Sequence, residues 1–287
     1  MRIAILAIII PMLIGGSLPA SAAGKLDVTS EAKLEKWFNY LSRLKEPAHF
    51  GALVAEAARF HVGSPYFHEP QPSTEPKSID ITLQSHQCVS LVEQSIAVAT
   101  CFLKGETTSS CFIEGVERLR YRNGRFSGYT SRLHYFVDWY WDNQRRGNLA
   151  SLSTIHKFRP WRRTFNVMSS RQNRYPLLRD NKTLANIKAV EARLSDTPFD
   201  VIPKGQVEGA MPKFEHGDIV GIVTHHAGLA VTHVGIAFKA PDDTMRLLHA
   251  SSFHKRVVIT VEDIADYVAR ESKRQGLMVT RPLPLNF

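Results

Sequence analysis

Three cysteines and twelve histidines carry most of the nucleophilic and acid–base chemistry open to this 287-residue chain. Cys101 and Cys111 lie close in sequence and flank a segment that contains Gly105. In an oxidising compartment they are expected to form a disulfide closing a helix-to-helix loop, with three reduced thiols as the alternative. That pairing leaves Cys88 as the odd, reactive thiol. A cysteine nucleophile needs a base, and the base needs a third group to orient it. His233 opens the apolar stretch His233-Val234-Gly235-Ile236-Ala237, and His249 follows a turn near Pro241-Asp242. If both stretches are antiparallel strands, residues 249 to 251 lie opposite His233 at about 5 Å, within reach of its far ring nitrogen. Gly235 and Ala237 share a strand face with His233 and would let a helix bearing Cys88 approach. Together these residues read as a Cys–His–His set for acyl transfer, against the plainer reading of Cys88 as a core residue.

The elements that must position them follow from hydrophobic period. Val89, Val92, Ile96 and Ala99 recur at helical spacing, so Cys88 falls at or near a helix N-terminus. There the partial positive charge is expected to lower the thiol pKa, and backbone N–H groups are placed to hold an oxyanion. Earlier, Ser30 reads as an N-cap before Leu34, Trp37, Phe38 and Leu41, and residues 50–60 read as a second helix. Gly63-Ser64-Pro65-Tyr66 is a turn signal, Pro70, Pro72 and Pro76 mark a loop, and Ile81 and Leu83 suggest a short extended piece. Residues 105–210 are aromatic and basic and read as two or three helices with loops, an insertion in the chain. Strands are expected at 218–223, 232–238, 246–250 and 257–260, with a helix opening at Thr260 to Asp263. Helices first and an antiparallel sheet afterwards make an α+β domain.

The first residues carry a different signal. Arg2 precedes the apolar run from Ile3 to Ile14, and Ala20-Ser21-Ala22 supplies a small-residue cleavage site. This is the order of a secretory signal peptide over residues 1–23, and the run is short for a bilayer span. The expected location is outside the cytoplasm, most naturally the periplasm, with no stable membrane anchor after cleavage and a monomeric mature chain. The formal charge of +9 becomes about +8 once Arg2 is removed. A basic surface suits nucleic acid, anionic membrane or an anionic wall polymer, and export makes nucleic acid the poorest of these.

Five short motifs in order carry a resemblance: Gly63-Ser64-Pro65-Tyr66, Gln87-Cys88-Val89-Ser90-Leu91-Val92-Glu93, Gly217-Asp218-Ile219-Val220, His233-Val234-Gly235-Ile236 and Leu248-His249-Ala250-Ser251. The set resembles the NlpC-type papain-like cell-wall hydrolases. Within them it is most similar to the amidase-like group with a Cys-Val-Thr-Phe-Val-Glu type helix start and a Ser-Arg-Leu-His-Tyr-Phe segment, here Ser131 to Phe136. The resemblance implies a papain-like fold over residues 24–287, with N-terminal helices carrying the nucleophile on a C-terminal antiparallel sheet. It implies hydrolysis of the amide between N-acetylmuramic acid and L-alanine in peptidoglycan or muropeptides, without metal or cofactor. Cys88 would be the nucleophile, His233 the base and His249 its orienting partner. Tyr66, Gln87, Arg132, His134 and Tyr135 would bind substrate. Many superfamily members have Asp before the nucleophile to hold a free amine. Gln87 makes no such ion pair, which favours a substrate whose L-alanine nitrogen is acylated over the alternative, a stem-peptide endopeptidase. A non-catalytic peptidoglycan-binding protein is the other alternative. His61, His68 and His86 lie near the expected cleft as possible ligand contacts, and the arginines and aromatics of the 105–200 stretch suit peptide carboxylates and sugar rings. No HExxH, CxxC or phosphate-binding glycine loop is present.

Overall fold

The computed structural model describes residues 24–68, 71–152 and 158–287. The expected signal segment and Pro70 lie outside the described residues.

Helix α1 spans Val28–Leu41 and α2 spans Phe50–Arg59. The cap of α1 is Asp27, whose carboxylate accepts from Ser30 N at 2.7 Å, rather than Ser30 itself. The Ser30 hydroxyl is buried and accepts from Leu83 N at 3.2 Å, tying the chain before Cys88 to α1. Residues 79–83 bury Ile79, Ile81 and Leu83 without joining a sheet.

Helix α3, Cys88–Lys104, opens on a capping box: the Gln87 side chain accepts from the Ser90 backbone, and the Ser90 hydroxyl accepts from Gln87 N at 2.8 Å. Its apolar residues Leu91, Val92, Ile96 and Val98 are fully buried. It ends at Gly105 in the left-handed region, φ 72°, where a side chain would be strained. The chain reverses there into α4, Ser109–Arg120, capped by Thr108. The Cys101–Cys111 disulfide closes this loop with Cα atoms 6.0 Å apart. A buried ion pair, Arg120 Nε to Glu93 Oε2 at 2.7 Å, locks α4 to the second turn of α3.

The 105–210 stretch contributes α4, α5 (Phe136–Arg145) and α6 (Asn181–Asp196), but also strands β1 (Leu149–Ala150), β2 (Arg159–Trp161) and β3 (Phe199–Pro203). It is therefore not the purely helical and looped insertion the sequence suggests. The short run Phe199-Asp200-Val201-Ile202 pairs into the main sheet instead. After the short helix α7, Val207–Ala210, come β4 (Ile219–Thr224), β5 (Val231–Lys239), β6 (Met245–Ser251), β7 (Arg256–Asp263), α8 (Ile264–Ala269) and β8 (Arg274–Pro282). The pairings between these strands are antiparallel, in the order β2-β3-β8-β4-β5-β6-β7, with β1 beside β8. The chain's last strand, β8, is thus interior. β7 runs on to Asp263, which caps α8, so the helix expected from Thr260 begins later; the Thr260 hydroxyl accepts from Leu247 N across the sheet.

Alternation on β5 sorts the core into two layers. Val234, Ile236 and Phe238 join the cluster formed with α1 to α6, while Ala237 joins Leu247, Ile264 and Val268 on the other face. Gly235 and Ala237 therefore do not admit the Cys88 helix. A Cβ on Gly235 would meet Leu247 of the neighbouring strand at 2.7 Å. The close helix–sheet approaches lie elsewhere: Gly217, φ 102°, abuts Gly51 of α2, and Gly221 abuts Phe136 of α5. Asp218, fully buried, accepts from Arg281 of β8 at 2.8 Å, which gives Gly217-Asp218 a structural role.

Candidate active site

The N-terminus of α3 meets the start of β5 and the end of β6, two interior strands of the sheet. His233 Nε2 and His249 Nδ1 are 2.6 Å apart, so one ring donates to the other. The spacing argument for this hairpin holds: Ile236 pairs with Leu248, a register that carries His233 opposite Ser251 and diagonal to His249. Cys88 is partly exposed and is the one free cysteine. Its sulfur is approached by the backbone N–H groups of Val89 and Cys88 itself, the first turn of α3, and by that of Val234, the neighbour of His233. Helix start and base-bearing strand therefore converge on the thiol.

The electrostatics differ from the expectation for an isolated helix N-terminus. Burial pushes the Cys88 thiol up, outweighing the three backbone N–H groups, and the Glu93 charge adds to the rise. Burial pushes His233 down to about 4, and the positive charge of Arg274 contributes. His249 is held down to about 3 by burial, by His233, by His254 and by Arg274. At neutral pH the Cys88 thiol and both imidazoles thus rest uncharged.

Tyr66 joins this group. Its N–H donates to Lys255 O, and flanking bonds, Gly63 N to Val257 O and Val257 N to Ser64 O, fasten residues 63–66 beside the start of β7. Burial first, and the nearby Cys88 second, raise the Tyr66 phenol, so it stays protonated and remains a hydrogen-bond donor. Gln87 lies next to the thiol, half-buried, with its amide engaged in the cap. The Ser131–Phe136 segment is less uniform. Arg132 and His134 are half-buried; the His134 ring lies 3.0 Å from Tyr129 O and packs on the Tyr129 ring. Tyr135 does not face a cleft. It is buried, its hydroxyl donating to Glu191 Oε1 at 2.6 Å, where Met168 N also donates. An Arg-x-His-Tyr run at a helix start cannot reveal a carboxylate partner 56 residues away.

The other histidines separate clearly. His61 and His86 are fully buried against each other, Nδ1 to Nε2 2.9 Å. His68, His225, His226 and His254 are exposed. Most aromatics of the 105–200 stretch, among them Tyr121, Trp139, Tyr140 and Phe165, are core. Two exposed aromatics flanking the site carry no periodic signal: Phe67, beside Tyr66, and Phe253, which is 86% exposed in the β6–β7 turn. Their cue is local, a lone large apolar residue in a turn or loop. Among the described residues, no group of three or more His, Cys, Asp or Glu is arranged to hold a metal ion.

This geometry has counterparts. A family model described as N-acetylmuramoyl-L-alanine amidase-like matches residues 56–277. A crystal structure of an N-acetylmuramoyl-L-alanine amidase from Bacteroides uniformis is similar at 30% identity and TM-score 0.75, over 82% of this chain and 99% of that one. A Bacteroides fragilis protein provisionally named a xylanase is similar at 28% identity and TM-score 0.73, over 78% of this chain and 98% of that one. A Legionella pneumophila protein shares the fold at 16% identity and TM-score 0.66, over 89% of this chain and 95% of that one. No curated protein matches the chain.

Proposed function

This chain belongs to the N-acetylmuramoyl-L-alanine amidase-like family, and on that premise we propose that it hydrolyses the amide between N-acetylmuramic acid and L-alanine by a Cys88–His233–His249 mechanism. The observation that carries the mechanism is the 2.6 Å contact of His233 Nε2 with His249 Nδ1, one residue from the Val234 N–H that meets the thiol.

The tautomers follow from the roles. A base at His233 Nδ1 requires the ring proton on Nε2, which then donates to His249 Nδ1, so His249 carries its own proton on Nε2. Because thiol and imidazole rest neutral, His233 takes the Cys88 proton as sulfur attacks the lactyl carbonyl. The oxyanion would be met by the Cys88 and Val89 N–H groups and by the Tyr66 hydroxyl. His233 then protonates the leaving L-alanine nitrogen, the C–N bond breaks, and water activated by the same imidazole hydrolyses the thioester. Glycoside hydrolysis canonically rests on two opposed carboxylates, whereas the groups gathered here are a thiol and two imidazoles, so the amidase reading is favoured over the xylanase name.

The wider reading is an NlpC-type papain-like domain over residues 24–287, exported to the periplasm, acting as a monomer on peptidoglycan fragments or wall. The disulfide and the apolar segment before residue 24 support export. Incubation with a defined muropeptide tests the bond cleaved. Mass spectrometry should find an intact peptide with a free L-alanine amine, and iodoacetamide should abolish its release; internal dipeptides as the products would assign the protein to the stem-peptide endopeptidases instead.

A further inference from the structure

A cavity of about 270 Å³ opens beside the imidazole pair, and the mechanism above leaves it unused. His233 and His249 form part of its wall; His226, Phe253, Lys273 and Arg274 line it as well. The Arg274 guanidinium is fixed from three sides. It stacks 3.8 Å over the Tyr267 ring, donates to Tyr267 O, and donates to Glu271 Oε1 at 2.8 Å. Lys273 is exposed, and among the described residues it pairs with no carboxylate; its backbone carbonyl faces His225 Nδ1 at 3.2 Å. Among the described residues Glu271 is the one acidic residue in the lining, and Arg274 already engages it. The cavity is thus net positive, polar at its base and bordered by one exposed ring.

We propose that this cavity seats a carboxylate of the substrate's peptide half, with Lys273 as its exposed counter-charge. The inference rests on the amidase reading, which supplies the polarity of the substrate. On the sugar side of the scissile amide the lactyl carboxyl is consumed in the bond and the remaining groups are hydroxyls and acetamide. The peptide side carries free carboxylates. Only that side matches a net positive pocket. The peptide then lies over the β4–β5 turn and the α8–β8 loop, and the sugar lies toward Tyr66 and Phe67. The seated carboxylate also has a consequence for chemistry. Arg274 disfavours protonation of both imidazoles, and an anion beside it offsets that charge as His233 takes the thiol proton.

The test uses two ligands, the L-alanyl-D-glutamate dipeptide with both carboxylates free and the same dipeptide with both amidated. Calorimetry on the full Cys88→Ala protein should give a Kd about tenfold lower for the free acid. Lys273→Glu, a surface change far from the core, should abolish or invert the preference. Equal affinities, or a preference that survives Lys273→Glu, would overturn the proposal. Hydrolysis of the corresponding muramoyl-dipeptides by the wild-type protein reads the other claim separately. If neither is cleaved but the free acid still binds better, the cavity assignment stands and the bond assignment falls. If both are cleaved with no binding preference, the reverse holds.

Discussion

Among the described residues two pairs of histidines are hydrogen-bonded, and the proposed mechanism uses one of them. His233 and His249 meet at 2.6 Å, His61 and His86 at 2.9 Å. Both pairs are held neutral by burial. The difference is what lies beyond the contact. His61 is packed edge-on against Trp37 at 4.2 Å and beside Phe60, with both imidazoles of its pair fully buried. His233 is half-exposed, lines a cavity, and neighbours the backbone N–H that meets a free thiol. Two imidazoles in contact can thus be purely structural, and in the proposed mechanism access and a nearby thiol are what make His233 a base.

That contrast is most directly broken at His233. His233→Ala should lower kcat on a muropeptide by about 10³-fold or more, since general-base assistance and thiol activation both depend on it. The melting temperature should change little, because a partly exposed ring near the start of β5 contributes little packing. A variant that keeps a tenth of wild-type kcat would remove His233 from the mechanism.

The sealed pair should answer in the opposite way. His61→Ala leaves a cavity beside Trp37 and strips His86 Nε2 of its partner, a cost of about 3 kcal/mol in unfolding free energy. Activity per folded molecule should stay within about threefold. Urea unfolding together with active-site titration checks both halves. A large kcat loss without destabilisation would show that the buried pair serves the reaction.

Acid should expose the same pair. Burial, then the Lys33 charge, pushes His86 down to about 3 from an ordinary 6.5. Between those values the unfolded chain binds a proton that the folded chain refuses, so stability rises with pH through the window and is lost on acidification. From pH 7 to pH 5 this one group should cost about 2 kcal/mol. His86→Gln should flatten the pH dependence of unfolding by that amount; an unchanged slope would mean that His86 is charged in the fold.

Sequence patterning located the α3 start, the Cys101–Cys111 loop and the β5–β6 hairpin because each rests on local information: a 3.6-residue period, a ten-residue cysteine spacing, an alternating run returning across a turn. It missed the interior position of β8, since a strand beginning Arg274-Gln275 and ending Arg281-Pro282 reads as an edge or loop until Asp218 is known to neutralise Arg281. It also misjudged Tyr135 and Gly235, whose surroundings come from Glu191 and from Leu247, contacts that no spacing rule encodes. The thiol's rise was likewise invisible. A helix N-terminus can be read from sequence, whereas the burial that outweighs it is tertiary. Lys273 and Arg274 carry no motif, and their proposed role comes from the cavity they share with His233 of β5 and His249 of β6.

The finest distinction between the pairs concerns His249, which in the proposed mechanism acts through His233 rather than on substrate. If its task is to accept the His233 Nε2 proton, a glutamine oxygen can do the same, and His249→Gln should lose about tenfold in kcat or less. His249→Ala, which leaves that N–H facing a void, should lose about a hundredfold, with KM unchanged in both. Rescue by glutamine separates orientation from mere packing, because the two variants remove the same ring contact with Tyr267. Equal losses would mean that ring packing matters, and His249 would then resemble His61: a histidine whose partner is another histidine and whose role is to fill space.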